Sequence, residues 1–176
     1  QLLLKKLMEF YRRDNNIDTI LPIINGEHKV SLRLIDWFVT NYSKKYYVCY
    51  NIPYRESVRR FKVYVDYKLK LKAYSKKRFD PFCRWDRITI PYDDDNLMET
   101  TIGQLNFFRW IIENNILSYI EKNIEDINKD MNSRNSTSKN NKSKKTNKTR
   151  KKREELSIFA SKSIKKEKVQ IIVEFK

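Results

Sequence analysis

The chain has 176 residues, enough for one domain of roughly 100 to 150 residues with a real core and too few for two large ones. Its 38 basic and 22 acidic residues give a formal charge of +16, and ten of the basic ones lie in 133–153, which leaves 28 against 22, or +6, for everything else. With two glycines and no G-x-x-x-x-G-K-[ST], G-x-G-x-x-G, H-E-x-x-H or G-x-S-x-G pattern, the composition argues against a phosphate-cradling loop and against the common hydrolase signatures.

"QLLLKKLMEFY" spaces Leu2, Leu3, Leu4, Leu7, Met8 and Tyr11 away from Lys5, Lys6 and Glu9, which predicts a short amphipathic helix. "NNIDTILPIINGEHK" contains Pro22 and Asn25-Gly26 and reads as a strand or extended segment ending in a tight turn. Ser31 is placed to cap a helix over 31–43 that turns Leu32, Ile35, Trp37, Phe38 and Val39 inward, although its β-branched and aromatic content also suits a strand. "YYVCYNI", 46–52, reads as a strand closed by Pro53.

The sharpest pattern is "FKVYVDYKLKLKA", 61–73. Phe61, Val63, Val65, Tyr67, Leu69, Leu71 and Ala73 hold odd positions while Lys62, Tyr64, Asp66, Lys68, Lys70 and Lys72 hold even ones, which predicts a long strand with one buried face. An irregular segment around Pro81 follows, then a strand near 86–91 and a turn at Asp93, Asp94 and Asp95. Thr101 and Gln104 have capping-box spacing and open a helix over 101–131, apolar nearly all round in its first half. Val169, Ile171, Val173 and Phe175 alternate with polar residues, so a last strand is expected over 168–176. The expected class is α+β: a mostly antiparallel sheet packed against two or three helices. Residues 1–132 and 154–176 form the domain, and 133–153 interrupt it as a disordered basic loop.

The basic stretch is the first functional candidate. Lys142, Lys144, Lys145, Lys148, Arg150, Lys151, Lys152 and Arg153 have the character of an arm that tracks phosphates. They equally suit a solvated linker, with "RKKR", 150–153, as a nuclear import signal. The second candidate is the even face of the 61–73 strand, continued by Arg59, Arg60, Lys76, Lys77 and Arg78, where Lys68, Lys70 and Lys72 interleave with Tyr64 and Tyr74, as a base-stacking surface requires. The same lysines on an ordinary strand would serve solubility.

Cys83 between arginines lacks a nearby base for nucleophilic work, and His28 with Cys49 and Cys83 makes an incomplete zinc set. Asp93, Asp94 and Asp95 would have to hold a divalent cation for a nuclease reading, yet three consecutive carboxylates point in different directions. No catalytic residue, metal or cofactor is therefore expected. No apolar run approaches the roughly 18 residues of a membrane span and no signal-peptide pattern opens the chain, which begins at Gln1.

Three strings, "SLRLIDWFVTNYSKK" (31–45), "YKLKLKAYSKKRFDPFCRW" (67–85) and "ETTIGQLNFFRWIIENNILSYI" (99–120), resemble an uncharacterised protein family encoded by large nucleocytoplasmic DNA viruses. The resemblance implies a viral protein made in the cytoplasm or nucleus of an infected cell, or carried in the particle, and it brings no active-site residues. The sequence thus leads to a non-enzymatic, sequence-independent binder of DNA or RNA, with a minor virion component that docks on an acidic protein partner as the alternative.

Overall fold

The computed structural model describes residues 2–13, 15–54, 56–82, 87–93, 96–140 and 166–168. Helix α1 (Leu2–Arg12) forms as its spacing requires, with Leu7 and Tyr11 buried one turn apart. The Tyr11 hydroxyl donates to the Leu105 carbonyl at 2.6 Å and pins the helix to a later one.

The segment expected to be extended is instead helix α2 (Asn16–Asn25), with Pro22 inside it. Ile17, Ile20, Leu21 and Ile24 recur at helical spacing and pack into the core, and that burial outweighs the hydrogen bond Pro22 cannot make. The proline lies only four residues from the stop at Gly26. There φ is +77°, and the Glu27 and His28 amides donate to the Pro22 carbonyl at 2.8 and 3.1 Å.

Helix α3 (Leu32–Trp37) starts where Ser31 Oγ accepts from the Leu34 amide, as the capping reading required. It widens into a π turn (Phe38–Tyr42) and tightens again as α4 (Ser43–Lys45). Strand β1 (Cys49–Tyr54) then pairs antiparallel with β2 (Ser57–Lys62), Cys49 opposite Lys62 and Tyr54 opposite Ser57. Pro53 does not close the strand but pairs within it, opposite Val58.

The long strand expected over 61–73 is not formed. β2 ends at Lys62, and Val63–Phe79 is helix α5, kinked at Ser75 where φ is +62°. Lys62 is already opposite the first residue of β1, so a longer strand would have nothing to pair with, and the backbone satisfies itself as a helix. The alternation conceals a helical stripe. Val63, Tyr67, Leu71 and Tyr74 stand at i, i+4, i+8 and i+11 and pack on the core, while Val65 and Leu69 are left 52% and 60% exposed.

Strand β3 (Arg87–Asp93) confirms the 86–91 reading and pairs with β4 (Asn96–Thr101), which also pairs with β5 (Lys166–Lys168). The described strands thus make two small antiparallel sheets, and among the described residues helix outweighs strand in an α+β fold. The part of the expected last strand beyond Lys168 lies outside the described residues.

Helix α6 (Ile102–Glu113) is capped by Thr101 Oγ1, which accepts from the Gln104 amide at 3.2 Å, and it is buried through most of its length. The single helix expected over 101–131 is three: α6, α7 (Ile116–Lys122) and α8 (Ile124–Asn140). Asparagines make the breaks. Asn114 Nδ2 and Asn123 Nδ2 each donate at 2.8 Å to the carbonyl four residues back, and Asn115 takes the left-handed conformation, with φ at +52°.

Helix α8 runs on to Asn140, so the first eight residues of 133–153 are helical. No glycine or proline interrupts that run, and Glu125 and Asp126 suit its positive end. Residues 141–153 lie outside the described ones. The core joins the faces of these helices to the inner face of the β1–β2 hairpin, around the aromatic group of Phe61, Tyr67, Phe79, Phe107 and Trp110.

Candidate nucleic-acid interface

Alternation along the hairpin sorts its side chains. Ile52 and Phe61 are buried against the core, while Arg60 and Lys62 stand exposed on the opposite face with Cys49 beside them. Arg60 Nη2 donates to Cys49 Sγ at 3.2 Å. A cationic strand face does exist, then, but it is confined to β2, where Arg60 and Lys62 lie; the part expected from 63 onward is helix.

Two neighbours convert this face into a groove of about 520 Å³. The first turn of α5 contributes Tyr64 and Val65, and the end of α4 contributes Lys44 and Tyr47. Lys44 Nζ lies 5.6 Å from the centre of the Tyr64 ring, within cation–π range. The lining combines three cations with two tyrosines and includes no acidic residue. A shallower hollow of about 170 Å³ continues it past Arg60 and Lys62 to Leu69. Asp66 lines that hollow, with its Oδ1 accepting from Trp110 Nε1 at 2.6 Å.

Tyr47 stands at the groove 87% open to solvent. Its backbone is left-handed, with φ at +51°. The reason is local: α4 ends in a turn closed by the Val48 amide donating to the Ser43 carbonyl at 3.1 Å, and the residue between the cap and Val48 must take positive φ. Glycine is the usual occupant of such a position.

A second crevice, of about 430 Å³, lies around Asp130. Asp130 Oδ2 accepts from Trp37 Nε1 at 3.0 Å, while Oδ1 meets the Lys45 ammonium and the Tyr46 hydroxyl. Partial burial works against the charge on this carboxyl, but the lysine and indole donors hold it below the ordinary aspartate value. The cluster ties α8 to the turn that presents Lys44 and Tyr47. Asp36 behaves oppositely, as burial and the nearby Asp80 charge push it up to about 7.

The sequence-derived candidates are distributed unevenly. Lys68 and Lys72 are exposed, one helical turn apart, on the outer face of α5 beside Val65 and Leu69. Lys70 is half-buried on the other side of that helix, because a 3.6-residue period separates what a strand would have aligned. Tyr64 reaches the groove, whereas Tyr74 stacks on Phe79 at 6.0 Å. Lys142, Lys144, Lys145, Lys148, Arg150, Lys151, Lys152 and Arg153 lie outside the described residues, as do Cys83, Asp94 and Asp95. Among the described residues no three His, Cys, Asp or Glu side chains gather as a metal site, and no helix is long and apolar enough to cross a membrane.

Lys44 and Tyr47 were not candidates from sequence, whereas Lys62 lies on the even face that was one. Nothing in "KKYYVCY", 44–50, marks a helix end with a left-handed tyrosine.

No solved structure matches this chain. "Uncharacterized protein L507" of Acanthamoeba polyphaga mimivirus is 44% identical over 135 residues, which cover 73% of this chain and 52% of that protein, so the chain spans about half the length of its relative. The kinship with large DNA viruses expected from the sequence holds. Residues 1–174 match the family of unknown function DUF7197, and the chain belongs to that family.

Proposed function

We propose that this chain is a non-enzymatic, sequence-independent nucleic-acid-binding protein acting in a virus-infected cell. The observation that carries the reading is the groove between α4, β2 and α5, where Lys44, Arg60 and Lys62 surround a lining with no carboxylate. Phosphate oxygens would find cations there with no opposing charge in the lining. The basic residues of 142–153 add a second cationic element on the same chain, and the viral relative supports the cellular setting.

Phosphate binding of this kind has a salt signature. Each neutralised duplex phosphate steepens the log–log salt dependence by about 0.9, so the intact chain should lose affinity steeply between 50 and 200 mM salt. Filter-binding titrations of the intact chain and of one lacking 141–153, on single and double strands at both salt concentrations, read this directly. A shallower slope after deletion supports the reading. No retention by the intact chain in dilute buffer removes it.

A structural role, with the cationic surface docked on an acidic partner subunit of the particle, draws on Val58, Val65 and Leu69, which stand exposed near the same cations. Intact nucleic-acid retention after deletion, together with failed assembly, would favour that alternative.

A further inference from the structure

We propose that the groove between α4, β2 and α5 binds an unpaired nucleotide, so that the protein selects single strands over duplex. This rests on the nucleic-acid reading above and specifies its substrate class. Two aromatic residues and three cations line one cavity of about 520 Å³, a size in the usual range for small-molecule sites. Each component has a distinct partner in a nucleotide. Tyr47 offers a ring face to a base, while Arg60 and Lys62, two residues apart on one strand face, offer donors to its phosphates. Lys44 sits over Tyr64 and can reach phosphate from the opposite rim.

Bases in a duplex are covered on both faces by their neighbours, so an aromatic platform engages only those that are unpaired. The backbone at Tyr47 strengthens the assignment. A bulky aromatic is kept solvent-exposed at a left-handed position where glycine is the ordinary solution, an arrangement without packing benefit and with a ready use in stacking.

The test uses the intact chain and four labelled probes of equal length: oligo(dT), oligo(U), an abasic deoxyribose-phosphate oligomer and a duplex. The abasic oligomer retains the phosphates and lacks the base. Oligo(dT) or oligo(U) should bind more tightly than the abasic strand and the duplex. Tyr47→Gly, which suits the local backbone and should leave the melting temperature unchanged or raised, should weaken the base-bearing strand about tenfold while leaving the abasic strand and duplex unaffected. Arg60→Gln with Lys62→Gln should instead lower the salt slope on all four.

Equal binding of base-bearing and abasic strands, or an unchanged affinity in Tyr47→Gly, overturns the groove assignment and leaves general phosphate binding standing. Failure of all four probes to bind in dilute buffer overturns both.

Discussion

Gly103 illustrates how closely single residues are constrained. A Cβ built there would lie 2.9 Å from the Lys77 carbonyl oxygen and 3.2 Å from that of Asp80, both main-chain atoms at the end of α5. Asn106 secures the same approach, with Nδ2 donating to the Arg78 carbonyl at 2.8 Å. Gly103→Ala should therefore destabilise the fold by about 1–3 kcal/mol despite the better helix propensity of alanine, measured as a lower denaturant midpoint. Tyr47 is the converse case. Its left-handed backbone carries a penalty of about 1–2 kcal/mol, which Tyr47→Gly relieves in part. Neither residue advertises its constraint in sequence: the first depends on a carbonyl 26 positions away and the second on a turn formed by a helix of three residues.

Among the elements, α5 separates what alternation says from what packing selects. Phe61 to Leu71 alternate as a strand would, yet the six residues of β1 are used up by β2, and the continuation coils. This has a measurable consequence. On a strand, Val65, Tyr67 and Leu69 would share one buried face; on α5, Tyr67 alone of these three is buried. Leu69→Lys and Val65→Lys should change stability by no more than about 0.5 kcal/mol, whereas Tyr67→Ala should cost about 3–5 kcal/mol by chemical denaturation.

Elements whose signals are local were legible. Ser31 and Thr101 cap their helices as their spacing implied, and the all-round apolar character of α6 matches its burial. Those governed by competition were not. Asn114 and Asn123 divide a continuous apolar period through side-chain bonds to the backbone, and Pro22 is tolerated because isoleucine burial outweighs its missing donor. The site was half legible for the same reason. Cationic character near Arg60 was visible as composition, while the groove exists only because α4 and the first turn of α5 flank the hairpin.

At the scale of the molecule, two carboxylates set opposing pH dependences. Asp36 is raised from 3.8 to about 7, so it binds its proton more readily in the folded chain. Its contribution to stability is complete below 3.8 and is lost as pH rises through about 7. Asp36→Asn should therefore melt above the parent protein at pH 8, by roughly 2–4 kcal/mol in stability, with the gap closing at pH 4. Asp130 is lowered, so its contribution is present above the ordinary aspartate value and falls away only as acid reaches its folded pKa.

Asp130 also has a mechanical consequence. It clamps α8 to Trp37 and Lys45, and α8 continues for ten more residues to Asn140, a stem of about 15 Å. The cation-rich sequence after Asn140 thus starts from a fixed root, held by the helix turn that also supplies Lys44 and Tyr47.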